Sequence, residues 1–177
     1  MKPKFTGLMF AYGSNLDVEQ MAIRCPAAVP LGRLKLANWA LVFRGVADCV
    51  PETGTECWGG VWKITAACEV ALDRYEGVSS GMYRKEYIAI KETPDGFRDM
   101  LIYCMNSSGI MPPAASYLKI IEQGYRDFRM PRKAWKSLRA AVTHAWDEKS
   151  PSHIERKRYM RNGRPKLAAR PEAAVAA

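Results

Sequence analysis

The spacing of apolar and polar positions divides this chain into alternating short strands and helices. Residues 5–12, with an apolar run from Leu8 to Tyr12, predict a first strand, and residues 15–24 predict a short helix stopped by Cys25-Pro26. From Arg33 to Arg44, Leu34, Leu36, Trp39, Leu41 and Phe43 alternate with other residues through most of the run. That pattern predicts a strand with a bulge near Asn38. Ala47 to Thr55 carries turn-forming residues and reads as a loop. Trp58 to Ile64 predicts a further strand, in which Gly59-Gly60 marks a bulge or a close backbone approach. Thr65 is placed to cap a helix running to about Tyr75, with Gly77 just past its end, where a left-handed residue is commonly needed.

Tyr83 to Lys91 alternates again and predicts a strand. Thr93-Pro94-Asp95-Gly96 has the composition of a hairpin turn, and Phe97 to Cys104 would pair back. Asn106 to Pro113 reads as loop, 114–123 as a helix closed by Gly124, and Pro131 fits the first turn of a last helix. In that helix Trp135, Leu138, Val142 and Trp146 fall at helical spacing, a stripe expected to face the core. A hairpin excludes an all-parallel sheet. The expected fold is α+β, with a mixed β-barrel or strongly curved sheet flanked by helices. Its domain covers 1–148, and 149–177 forms a basic, flexible tail with a short helix at 152–161.

Composition adds compartment and partners. The chain has 177 residues, 48% hydrophobic and 25% charged, ordinary for a globular domain. No apolar run nears the roughly 20 residues that span a bilayer, so no membrane partner is expected. Lys2 and Lys4 are not followed by a long apolar stretch, which argues against a secretory signal. Cysteines at 25, 49, 57, 68 and 104 form no Cys-x-x-Cys pair, and with His144 and His153 they offer no zinc-ligand set. Buried free thiols in a reducing, cytoplasmic compartment are the natural expectation. The net charge of +9 is concentrated in the tail, where eight Lys or Arg stand against two Glu. The tail therefore leaves room for an accessory role in binding nucleic acid or an acidic partner, which the folded body does not suggest. A homodimer is compatible with the sequence.

Two stretches carry candidate chemistry. Tyr12-Gly13-Ser14-Asn15-Leu16 joins the first strand to the following helix through a glycine-bearing turn. The first N–H groups of a helix lack internal partners and its dipole is positive there, so such a corner can seat a carboxylate or phosphate. Ser14 with Asp17 fits a capping-box pattern, predicting the helix start at Ser14. The second stretch is Leu72 to Val78, in which Glu76 ends a helix directly before Gly77. The negative end of the helix dipole and apolar neighbours both disfavour its charged form, a setting suited to a general base or acid.

Taken together, these stretches resemble the γ-glutamylcyclotransferase family and its AIG2-like relatives. The shared segments are the YGSNL corner at 12–16, Gly60-Val61-Trp62-Lys63, LDRYEGV at 72–78 and SGMY at 80–83. Further along come Pro112-Pro113, Tyr117-Leu118-Lys119-Ile120-Ile121, and Gly124 followed by Met130-Pro131. The resemblance covers most of 7–140 and is nearest in pattern to the animal enzymes. It implies a mixed barrel flanked by helices, no metal or organic cofactor, and a small-molecule γ-glutamyl substrate from which 5-oxoproline is released. It puts the catalytic glutamate at Glu76 and the substrate loop at Tyr12, Gly13, Ser14, Asn15 and Leu16. Tyr117 matches an active-site tyrosine and Tyr83 another that lines the site. The Val46–Thr55 loop looks shorter than in the animal enzymes, which leaves open γ-glutamylamine cyclotransfer or an AIG2-like domain with another small ligand.

Overall fold

A computed structural model describes residues 4–91, 93–94 and 96–147. The basic tail expected at 149–177 lies outside the described residues. In chain order the elements are β1 (Phe5–Ala11), a 3₁₀ turn (Ser14–Leu16), α1 (Val18–Arg24), β2 (Val29–Phe43) and β3 (Ala47–Thr65). They continue with α2 (Ala66–Tyr75), β4 (Tyr83–Ala89), β5 (Asp99–Met105), α3 (Ala115–Asp127) and α4 (Arg132–Trp146). The five strands make one mixed sheet in the order β2-β3-β1-β5-β4. It is open, so of the two predicted forms the barrel is not the one found. β1 pairs antiparallel with β3 and parallel with β5, which puts β1, and the turn that follows it, at the middle of the sheet.

The stretch at 47–55, predicted as loop, is instead the first half of β3. Trp39 to Phe43 pair with Pro51 to Ala47 around a tight turn in which Gly45 takes φ +86°. Asp48 and Pro51 are poor strand formers, but here the turn and a buried carboxylate override propensity. Asp48 is 1% exposed, bonds Arg44 Nε at 2.8 Å through Oδ2, and accepts the Cys49 and Met105 N–H groups through Oδ1, each at 2.9 Å. The ladder slips at Asn38, as expected, where φ is +62° and Oδ1 accepts the Gly54 N–H. Gly59 and Gly60 mark close approach. A Cβ on Gly59 would stand 2.3 Å from the Ala11 carbonyl oxygen, and one on Gly60 would stand 2.5 Å from the Phe128 ring.

Three helix boundaries differ from expectation. α1 begins at Val18, not after Ser14, because Asp17 is the cap and takes the Gln20 N–H at 2.9 Å. That leaves Ser14 to Leu16 in their own 3₁₀ turn. α3 runs through Gly124 to Asp127, so Gly124 does not close it. Pro131 stands just before α4 rather than inside its first turn. Thr65 caps α2 as predicted, its hydroxyl accepting the Cys68 N–H. The Gly96 N–H bonds the Thr93 carbonyl at 2.8 Å and closes the predicted turn between β4 and β5. The α4 stripe is buried, with Trp135 edge-on to Tyr125 of α3 at 5.3 Å. Lys133 and Lys35 both reach Glu56 and tie α4 to the β2–β3 hairpin at the surface. All five cysteines are buried free thiols. Among the described residues no helix is long and apolar enough to cross a membrane.

Candidate active site

A cavity of about 260 Å³ opens where β1 runs into the 3₁₀ turn. Strand β1 and the turn supply Tyr12 to Asn15, the start of β3 supplies Ala47, the end of α2 supplies Tyr75 and Glu76, and Tyr83, Tyr103 and Tyr117 come from β4, β5 and α3. The two stretches singled out from sequence therefore face one small volume. Glu76 caps the C-terminus of α2 and is 9% exposed. Its Oε1 accepts the Asn15 side-chain N–H at 2.7 Å. Burial holds its carboxyl above the usual carboxylate range; the Asn15 hydrogen bond and the nearby Arg24 charge act in the opposite direction without cancelling it.

The turn is held from several sides. Trp62 Nε1 donates to the Asn15 carbonyl at 3.0 Å, and the Leu16 N–H returns to the Gly13 carbonyl at 3.0 Å. A Cβ on Gly13 would stand 2.9 Å from the Tyr117 hydroxyl and 3.3 Å from the Ala47 Cβ, so a larger residue would displace that phenol. Ala47 anchors two tyrosines at once. Its N–H donates to Tyr117 Oη at 3.1 Å and its carbonyl accepts from Tyr83 Oη at 2.9 Å. Because Tyr117 Oη accepts from Ala47, its own proton is left for the cavity. Burial pushes this phenol up to about 12, against the lowering pull of the Ala47 and Ser14 backbone, so it is a neutral donor in ordinary buffers.

Of the residues assigned by resemblance, Glu76, Tyr12, Gly13, Ser14, Asn15, Tyr83 and Tyr117 line the cavity. Leu16 does not. It is fully buried beneath α3, and its N–H is taken by Gly13, so it supports the turn from below. Tyr12 lines the cavity with its ring, but its hydroxyl donates to the Tyr103 carbonyl and is not free for a ligand. Sequence reasoning passed over Ala47, Asp48, Tyr75 and Tyr103. Asp48 and Ala47 were hidden in the supposed loop. Tyr75 stood inside the LDRYEGV segment unremarked, and Tyr103 looked like one more alternating strand residue. Among the described residues no group of three or more His, Cys, Asp or Glu is placed to hold a metal ion.

A cavity of about 260 Å³ in which one buried carboxylate faces a glycine-bearing backbone turn has the size and lining to take a small molecule. Comparison with known proteins gives the family. The AIG2-like family pattern matches residues 56–138. The chain is 31% identical over 162 residues to gamma-glutamylcyclotransferase of Homo sapiens and 30% over 160 residues to that of Bos taurus. Each alignment covers 84% of this chain and 85% of the relative. A solved structure described as gamma-glutamyl cyclotransferase superposes with a TM-score of 0.66 at 28% identity, over 89% of this chain and 99% of that one. The chain belongs to the γ-glutamylcyclotransferase family and is an enzyme of the cyclotransferase type.

Proposed function

We propose that this enzyme releases 5-oxoproline from γ-glutamyl amino acids, with Glu76 moving the protons. The reaction is an internal aminolysis, in which the substrate's α-amine attacks its own γ-carbonyl and closes a five-membered lactam. At neutral pH that amine is an ammonium and cannot attack. Glu76, as carboxylate, takes the proton. The same group, now an acid, returns it to the departing nitrogen; the second proton that the attacking nitrogen sheds on becoming the lactam N–H passes to the released amine, which leaves as an ammonium, so the enzyme ends as it began. Acid–base help of this kind is worth roughly 10²–10⁴ in rate. A carboxyl held above its usual range by burial is a better base toward an ammonium.

Ring closure also needs the extended γ-glutamyl chain folded back on itself, and a 260 Å³ cavity suits that bent form. The backbone of Gly13 to Asn15 serves the α-carboxylate. The Tyr117 hydroxyl, with its proton free, is positioned to meet the charge growing on the γ-oxygen. What carries this reading is the meeting of Glu76 with Asn15 of the turn at 2.7 Å inside the cavity. Five buried free thiols support a reducing, cytoplasmic setting. The test is mass-spectrometric detection of 5-oxoproline from γ-glutamyl-alanine, ε-(γ-glutamyl)lysine and glutathione, with Glu76→Gln alongside. Glu76→Gln is expected to fold and to lose turnover; a fully active Gln variant would end the assignment of the base.

A γ-glutamylamine substrate is the second reading. Glu76 is the one charged side chain among the described residues that line the cavity, so a leaving group's own carboxylate would meet no cation among them. A clear preference for the ε-(γ-glutamyl)lysine probe over γ-glutamyl-alanine would favour this reading.

A further inference from the structure

We infer that Arg24 is a positioning residue for this site, and that it acts by fixing which end of the Asn15 amide faces Glu76. The inference rests on the cyclotransferase reading above. Arg24 is the last residue of α1 and is not among the cavity-lining residues. Its Nη1 donates to Asn15 Oδ1 at 2.8 Å, and Asn15 Nδ2 donates to Glu76 Oε1 at 2.7 Å. Arginine has donors only. Asn15 must therefore turn its oxygen toward Arg24, which commits its NH₂ to Glu76. Free of that constraint, an amide can flip and offer its oxygen instead, an arrangement that suits a protonated carboxyl and repels a carboxylate. Arg24 thus favours the ionised form of Glu76 in two ways, through its charge and through the orientation it imposes.

The guanidinium is itself well held. It lies over the Tyr75 ring with its centre 3.6 Å from the ring centroid. Nη2 donates to Tyr75 Oη at 2.6 Å and to Gln20 Oε1 one turn back along α1. Tyr75 Oη in turn lies 3.2 Å from Ser14 Oγ, so the clamp closes around the catalytic turn. Planar stacking together with a fork of donors is a role lysine fills poorly. Facing Glu76 from the other packed elements are the phenols of Tyr83 on β4, Tyr103 on β5 and Tyr117 on α3. Burial raises all three, so they stay neutral in the range where Glu76 titrates, and Arg24 is the charge acting on it there.

The experiment compares wild type with Arg24→Met by kinetics across pH and by ¹³C-carboxyl NMR of Glu76. Expected for Arg24→Met is a fall in kcat at neutral pH of about tenfold or more, as for loss of a charge-assisted hydrogen bond, with KM within about threefold. The acid limb of kcat/KM and the Glu76 carboxyl titration should both move to higher pH. In an Asn15→Ala background the same substitution should have a smaller effect on kcat, because the part of its action that passes through that amide is gone and only its charge remains to act. An unchanged carboxyl titration, or effects of the two substitutions that simply add, would overturn the inference. Should Arg24→Met fail to fold, Arg24→Gln removes the charge while keeping a polar side chain and is read in the same way. The NMR titration needs no turnover, so it decides the part played by Arg24 even if no 5-oxoproline is found. An active Glu76→Gln variant would instead refute the assignment of Glu76 as the base.

Discussion

Gly124→Ala tests whether α3 sets the position of the turn that meets Glu76. In an exposed helix interior this change stabilises by about 0.8–1 kcal/mol, because alanine restricts the unfolded chain and favours the helix. Gly124 is not exposed. A Cβ there would stand 2.3 Å from Leu16 Cβ and 2.6 Å from the Leu16 carbonyl carbon. Carbon atoms sit comfortably at about 3.5–4.0 Å, so a gap of more than 1 Å has to open. The obstacle is backbone and cannot rotate aside. Overpacking of this kind costs about 1–3 kcal/mol, and a rigid obstacle places it high in that range. Set against the helix gain, a net loss of about 1–2 kcal/mol remains, or roughly 2–8 °C in Tm for a chain of this size. The displaced residue is Leu16, and Asn15 beside it holds Glu76. Misplacement near 1 Å costs on the order of 10²-fold in rate, so kcat should fall further than the stability loss explains. Thermal melts and initial rates at a temperature where the variant is fully folded separate the two effects. A variant that melts at or above wild type with kcat intact would refute the wedge between α3 and the turn.

Other predictions follow from the same geometry. Glu76→Gln should raise Tm at neutral pH. A carboxyl whose folded value lies above its unfolded one opposes folding where it is ionised, and that penalty disappears as pH falls, so the Tm gap between the two proteins should close in acid. Tyr117→Phe removes the acceptor of the Ala47 N–H and a donor facing the cavity; urea melts should show a loss of about 1–3 kcal/mol, and kcat should fall by about 10²-fold. Asp48→Ala removes the ion partner of Arg44 and the side-chain acceptor of the Cys49 and Met105 N–H groups, for a loss of about 3–5 kcal/mol in urea melts. Because Ala47 beside it anchors Tyr83 and Tyr117, KM should rise as well.

Much of the fold was legible because the strong strands and the α4 stripe follow simple periods. Phe5–Ala11, Tyr83–Ala89 and the buried Trp135, Leu138, Val142 and Trp146 fall where an apolar run, alternation and helical spacing respectively put them. The failures share one cause, since tertiary partners overrode local preference. Asp48 is a turn former that became a buried strand residue because, besides its neighbours Arg44 and Cys49, it meets the Met105 N–H across the fold. Gly124 resembles a helix stop, but its missing side chain makes room for Leu16. Likewise, Glu76 and the turn could be read from sequence because each carries a local signature. Arg24, Tyr75 and Ala47 could not, since their roles exist only through groups they meet across the fold.

The parallel pairing of β1 with β5 has a consequence for how activity is gained and lost. The β2–β3 hairpin can assemble from neighbours in the chain, whereas β1 meets β5 only after some ninety intervening residues have found their places. Tyr83 and Tyr103, which line the cavity with Glu76, stand on β4 and β5 and depend on that closure. Catalysis should therefore report on completion of the native state, with turnover vanishing in denaturant together with the last fluorescence change and no half-assembled species retaining it.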